Sequence, residues 1–270
     1  MKKMTLRQIQ QAELSIMLEL DRLARAYGLK YSLFAGTMLG AVRHKGFIPW
    51  DDDIDITMPR PDYMRLIELS RQEGFWPEGL KMLCFEDGSL DAPFMKIIDT
   101  RTKMEEKNYK ERNVDSLWID IFPMDGLPED IKDKKKYYKK CLFLSKMNVS
   151  AAARTGFGSS KGKIILKEIF IKPAARLLGR RRISAMQKRM ASKIPYGSTA
   201  ECGLTVWGYD GPYQALKVSE YEDLVEMEFE GHMLYCTSAW DKNLKGIFGD
   251  YMKLPPENER ISHDMEAYVI

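Results

Sequence analysis

The apolar positions of this chain change period several times, and each change marks an element. Near the N-terminus Leu6, Ile9, Ile16, Leu20, Leu23 and Tyr27 recur at helical spacing, opened by Thr5 with Gln8 behind it and closed at Gly28. That predicts a long amphipathic helix with a capping box. Tyr31 to Ala35 reads as a short buried strand, after which Gly36-Thr37 opens a small helical turn through Gly40 and Val42. From Asp51 the pattern alternates, Asp-Asp-Asp-Ile-Asp-Ile, until Pro59 and Pro61. A strand there carries Asp51, Asp53 and Asp55 on one face and turns Ile54 and Ile56 into a core. Pro61 suits the first position of a helix through Tyr63, Leu66, Ile67 and Leu69. Three more strand-like stretches follow, Leu80 to Phe85, Phe94 to Ile98 and Leu117 to Phe122. Strands interleaved with helices over residues 1–127 predict an α/β (α+β) catalytic core, a mixed β-sheet flanked by helices.

Past Pro128 the strand signals stop and basic residues accumulate, so 128–194 reads as a basic helical insertion. Lys132, Lys134, Lys135, Lys136, Lys139 and Lys140 form one cluster and Arg176, Arg180, Arg181, Arg182, Lys188 and Arg189 another. Between them Ile164, Ile165, Leu166, Ile169, Phe170, Ile171, Leu177 and Leu178 supply an apolar stripe. Two readings stand: a solvated helical hairpin packed on the core, or a basic amphipathic surface that docks on an anionic membrane or a lipid-linked acceptor. Residues 195–270 are rich in aromatics and complete the substrate site.

Composition narrows the field. The balance of 42 basic and 39 acidic residues, net +3, is too even for a general nucleic-acid binder. Cys84, Cys141, Cys202 and Cys236 form no C-x-x-C pair, which argues against a zinc knuckle or a disulfide framework and favours a reducing cytoplasm. No run approaches the roughly 18 apolar residues of a membrane span. A cytoplasmic protein is expected, with attachment at the inner face of the plasma membrane as the alternative.

The segment Pro49-Trp50-Asp51-Asp52-Asp53-Ile54-Asp55-Ile56 concentrates the chemistry. Carboxylates this close repel one another unless a cation neutralises them, so the segment points to a divalent cation serving phosphate chemistry. Mg²⁺, which takes one or two carboxylates together with waters and phosphate oxygens, fits best, with Mn²⁺ as its substitute. The alternative is a solvated acidic loop. Gly36-Thr37 supplies a turn that brings main-chain N–H groups close to an anion. Asp120, inside the apolar run Trp118 to Phe122, is costly to bury without a partner and offers either a third carboxylate or a structural ion pair. Arg43, His44 and Lys45 lie between the turn and the aspartates, where at least one can neutralise charge on a leaving group. His44 is a second choice as general base behind a carboxylate of the Asp51 to Asp55 group. Lys96 is a cation in an apolar strand, either a phosphate contact or a snorkelling lysine.

The order of a small-residue turn, Asp-apolar-Asp and a further aspartate resembles the nucleotidyltransferase superfamily. Gly36-Thr37-Met38-Leu39-Gly40-Ala41-Val42-Arg43-His44-Lys45-Gly46-Phe47-Ile48 leading into Pro49 to Ile56 resembles more closely the LicD family of phosphotransferases, to which fukutin is distantly similar. Trp118 to Gly126 and Phe248 to Pro256, followed by Arg260 and His263, resemble its other two blocks. The resemblance implies a nucleotidyltransferase-like fold in which Asp53, Asp55 and Asp120, with Asp51 beside them, hold the metal while Gly36 and Thr37 meet the nucleotide phosphates. It also implies transfer of phosphocholine from CDP-choline to a sugar of a teichoic acid or lipopolysaccharide, releasing CMP. A quaternary ammonium is recognised chiefly by aromatic faces, which makes Trp207, Tyr209 and Tyr251 candidates for the head group. His263 joins the substrate candidates. Two rivals are a phosphoethanolamine or polyol-phosphate transferase using the same site, and a non-catalytic adaptor that binds membrane or nucleic acid through 128–193.

Overall fold

The computed structural model describes residues 1–105, 114–152, 172–207, 211–260 and 266–270. A two-residue strand, β1 (Lys2–Lys3), leads into α1 (Leu6–Tyr27). The capping box forms: the Thr5 hydroxyl accepts from the Gln8 N–H, and the Gln8 side chain accepts from the Thr5 N–H at 2.9 Å. Gly28 ends the helix at φ 62°, a left-handed conformation that glycine adopts without strain. Ile9, Ile16, Met17, Leu20, Leu23 and Ala24 form the buried face, where each large aliphatic side chain contributes roughly 1.5–3 kcal/mol.

After β2 (Ser32–Leu33) the chain enters α2 (Ala35–His44), a full helix where the sequence predicts one turn. Then come β3 (Asp55–Pro59) and α3 (Arg60–Leu69). Pro61 takes the second helical position, since Pro59 is the cap. β4 (Leu80–Cys84), β5 (Met95–Asp99), β6 (Thr102–Glu105) and β7 (Leu117–Gly126) complete the first half. β7 runs past the predicted Phe122 through Pro123. It pairs with β5 only as far as Ile121, so proline's missing N–H removes no bond on that side.

The main sheet has seven strands, five in the order β2-β3-β7-β5-β4, a sixth paired with the end of β7 and a seventh paired with the sixth. β3 and β7 are parallel and the other neighbours antiparallel, a mixed α+β sheet of the nucleotidyltransferase type. α1 packs on β5 and β7. The expected aspartate strand enters the ladder only at Asp55, because β2 and β7 offer partners from that residue onward. The alternation nevertheless survives in burial: Asp52, Ile54 and Ile56 are 2, 1 and 0 % exposed, while Asp51, Asp53 and Asp55 are half-buried.

Among the described residues of 128–194 the chain forms three helices, α4 (Ile131–Ala152), α5 (Lys172–Leu178) and α6 (Arg180–Ala191). Most of the apolar stripe, Ile164 to Ile171, lies outside the described residues. Some members of the basic clusters pair with side chains of the rest of the protein and others line a surface groove. Lys134 is buried against Glu201, Lys188 pairs with Glu86 at 2.8 Å, and Arg180 donates to Asn148 at 3.0 Å. Lys136, Lys139 and Lys140 instead rim a groove of about 510 Å³ floored by Phe143, Leu144 and Met190, with Phe143 62 % exposed.

The C-terminal third returns to the sheets. β8 (Glu201–Gly203) pairs with the end of β7 and with β9 (Leu216–Lys217). After α7 (Val218–Glu222), the hairpin β10 (Leu224–Phe229) and β11 (His232–Thr237) leads to α8 (Trp240–Phe248), and both hairpin and helix pack on α2. β12 (Glu266–Val269) lies between β1 and β6, joining both ends of the chain. Among the described residues the four cysteines are buried and free, and no helix is long and apolar enough to cross a membrane.

Candidate active site

The sheet register assembles the centre. Asp55 on β3 stands opposite Asp120 on β7, which stands opposite Lys96 on β5. Registered neighbours share a face at about 4.8 Å spacing, so two carboxylates and an ammonium form one row. Lys96 Nζ lies 2.6 Å from Asp120 Oδ1, and Trp118 Nε1–H donates to Asp120 Oδ2 at 3.1 Å. The ammonium sits 4.1 Å from the Trp118 ring centroid and 5.4 Å from that of Phe94. Asp120 therefore carries the ion pair named above as its structural alternative, and the partner is Lys96.

α2 closes the row from above. The Asp55 N–H donates to the Thr37 hydroxyl at 2.8 Å and the Phe34 N–H to the Asp55 carbonyl at 3.0 Å, tying the start of the helix to the start of β3. A methyl group at Gly36 would stand 2.8 Å from Asp51 Oδ2, so only glycine lets this carboxylate lie against the helix terminus, where partial positive charge favours it. Ala35 is held at φ 44°, a left-handed conformation costing roughly 1–2 kcal/mol for a residue with a side chain. Strain of that kind collects where surrounding structure imposes a geometry. Thr37, expected at the phosphates, is 3 % exposed and holds Asp55.

The last turn of α2 is a cationic flank. Arg43 donates from Nε to His44 Nε2 at 2.9 Å and from Nη1 to the Tyr251 carbonyl at 2.8 Å. Burial lowers the pKa of both Arg43 and His44, helped for Arg43 by Arg260 and for His44 by Arg43. With Nε2 accepting from Arg43, the His44 ring is neutral. Arg260 stacks 5.1 Å over the Trp50 ring. Lys45 is exposed and caps α2 in a left-handed conformation at φ 59°. The loop after it is clamped by Glu230, whose N–H donates to the Lys45 carbonyl and whose Oε1 accepts from the Phe47 N–H at 3.1 Å.

The expected aromatic faces that lie among the described residues have packing or hydrogen-bond partners in the fold. Trp207 packs against Phe94 and Phe122 at centroid distances of 5.8 and 6.0 Å. Tyr251 is 8 % exposed and donates its hydroxyl to Asp241 at 2.6 Å. Tyr209 and His263 lie outside the described residues.

Helix α1 contributes two polar groups that the pattern reading passed over. Gln10 donates to the Asp51 carbonyl at 2.9 Å. Glu13 is 1 % exposed, and among the described residues its Oε2 has no hydrogen-bond partner. Burial, then Asp53, Asp52, Asp120 and Asp51, push its carboxyl well above the usual range. A signal was present: Glu13 falls on the stripe between Ile9 and Ile16, where an apolar residue is expected.

Among the described residues no three His, Cys, Asp or Glu side chains form a ready metal cage. The donors nevertheless suit a hard cation, since they are carboxylates, one has an orphaned oxygen, and Mg²⁺ fills most of its octahedron with water and phosphate.

An acidic row on a mixed sheet of the nucleotidyltransferase type, with a helix N-terminus against the acidic segment, is an arrangement that suits phosphoryl transfer. Residues 28–155 match the family described as LicD/FKTN/FKRP, nucleotidyltransferase domain. The chain is also 34 % identical over 277 residues to the lipopolysaccharide cholinephosphotransferase LicD of Haemophilus influenzae, covering 100 % of both chains. An uncharacterized protein of Rickettsia prowazekii is 40 % identical over 57 residues, about 21 % of each chain. An uncharacterized protein of Rickettsia typhi is 36 % identical over 63 residues, 22 % of this chain and 20 % of its own. The chain belongs to the LicD family.

Proposed function

We propose that this enzyme transfers phosphocholine from CDP-choline to a sugar hydroxyl of a lipid-linked cell-envelope glycan, lipopolysaccharide or teichoic acid, releasing CMP. The observation that carries this reading is the row Asp55, Asp120 and Lys96 beside the α2 terminus, in a chain aligned end to end with a cholinephosphotransferase. A Mg²⁺ or Mn²⁺ ion held by Asp53, Asp55 and Asp120 would supply charge neutralisation at the diphosphate. Arg43 and Lys96 bind phosphate oxygens, with His44 and Lys45 at the edge of the same flank. Gly36 and Thr37 position the acidic segment against the donor. A carboxylate of the Asp51 to Asp55 group takes the proton from the acceptor hydroxyl. The acceptor's hydroxyl oxygen bonds to the choline-bearing phosphorus as that phosphorus loses its bond to the bridging oxygen, and the electron pair leaves with CMP. Trp207, Tyr209, Tyr251 and His263 remain the proposed head-group and substrate contacts.

The lysine-rimmed groove supports work at the cytoplasmic face of an anionic membrane, its apolar floor entering the lipid boundary while Lys136, Lys139 and Lys140 meet head groups. The test is CMP release with CDP-choline, CDP-ethanolamine and CDP-ribitol, each with lipopolysaccharide and teichoic-acid acceptors. CDP-choline is expected to be turned over fastest. Faster turnover of either other donor would transfer the reading to that head group, and no CMP from any donor would favour the adaptor.

A further inference from the structure

The acidic site has two layers. Asp51, Asp53 and Asp55 are half-buried on the open side, while Asp52 and Glu13 lie on the core side at 2 and 1 % exposure. Glu13 reaches the site from α1, a helix outside the matched family segment 28–155. Its approach is set rather than incidental. One turn earlier on the same buried face, Gln10 is hydrogen-bonded to the Asp51 carbonyl, which locks α1 to the acidic segment. A wholly buried carboxyl whose Oε2 has no partner among the described residues, one turn from the glutamine that holds the acidic segment, is costly in a protein whose only purpose there is packing. Leucine or methionine would fill the same space and continue the stripe of Ile9 and Ile16.

We propose that Glu13 is a further carboxylate of the divalent-cation site, delivered by α1 from beneath the aspartates, so that cation affinity depends on it as well as on Asp53 and Asp55. This rests on the cation site of the proposed function. Glu13 destabilises the cation-free protein and strengthens the cation-bound one, a pairing that a merely structural glutamate would not show.

The experiment is Mn²⁺ titration of full-length wild-type protein, Glu13→Gln, Glu13→Met and Asp53→Asn, by calorimetry or by the electron-spin signal of free Mn²⁺, with melting curves with and without Mn²⁺. Both Glu13 variants are expected to bind Mn²⁺ about tenfold or more weakly, the scale seen when a supporting group of a metal site is removed. Cation-free, they are expected to melt above wild type. Kd values within twofold of wild type in a folded variant, while Asp53→Asn loses binding, would overturn the role of Glu13 and leave the cation site standing. A lower cation-free melting temperature in both variants would also overturn it, as would absence of Mn²⁺ binding by wild type, which removes the cation site as well.

Discussion

Replacing Lys96 with methionine tests the acidic row most directly. Methionine keeps the stem's packing against Phe94 and Trp118 and removes only the ammonium. The pair it breaks is short, 2.6 Å, with side-chain exposures of 5 % for Lys96 and 17 % for Asp120. Removing one member of a buried ion pair costs about 3–5 kcal/mol, because the other charge stays desolvated without its counter-charge. The partial solvent contact of Asp120 places the loss at the lower end, about 3 kcal/mol. Asp55 stands opposite Asp120 in register, so mutual repulsion adds to the burden rather than easing it. For a chain of this length 1 kcal/mol shifts Tm by about 2–4 °C, which puts the drop at roughly 6–12 °C. A cation held by these carboxylates, as proposed above, would replace the missing ammonium. At a hundredfold excess over Kd, Mn²⁺ stabilises a protein by about 2.7 kcal/mol, and its gain should exceed that of wild type, in which Lys96 competes for Asp120. Urea unfolding with and without Mn²⁺ measures both quantities. A loss under about 1 kcal/mol would refute the buried-pair reasoning, and a Mn²⁺ gain no larger than that of wild type would refute the competition.

Three further outcomes are expected. Asp53→Ala with Asp55→Ala should abolish CMP release yet leave Tm unchanged or raised, since like charges are removed; retained turnover would defeat the metal assignment. Arg60 donates to Asp125 at 2.8 and 2.6 Å, and Asp125 is 0 % exposed. Arg60→Met should therefore cost about 3–5 kcal/mol, while adding Asp125→Leu should recover much of it, as a double-mutant cycle in urea would show. At Glu230 the hydrogen bond from Arg7 holds the carboxyl below its usual range. A depressed acid contributes stability above its unfolded pKa and loses it as pH falls through the folded value. Glu230→Gln should thus be less stable than wild type at pH 7, with the difference shrinking below about pH 4.5 in matched unfolding curves.

Local signals reached far into this protein. The capping box at Thr5 and the stop at Gly28 are properties of a few adjacent residues, and the structure forms them as read. The alternation through Ile54 and Ile56 told which aspartates face the open side even though only Asp55 enters the ladder. Burial depends on the period of the side chains, whereas ladder membership depends on how much strand the neighbours offer. The length of α2 was less legible, because Gly36 and Gly40 lower local helix propensity. The helix persists because packing on α8 and the β10–β11 hairpin holds it there.

What the chain determined by itself is the inventory: a cluster of carboxylates, a glycine turn, a lone aspartate in an apolar strand and a basic stretch. Which of these meet was decided by tertiary structure. The opposition of Asp55, Asp120 and Lys96 is a matter of strand register, set between segments about 20 to 65 positions apart. The arrival of Glu13 depends on how α1 lies across β5 and β7. The division of the basic helices into inward ion pairs and an outward lysine rim follows from which face meets the core, and composition carries no information about that direction. Spacing along a chain reports contacts within one turn or one strand; contacts between elements exist only once the hydrophobic faces have chosen their partners.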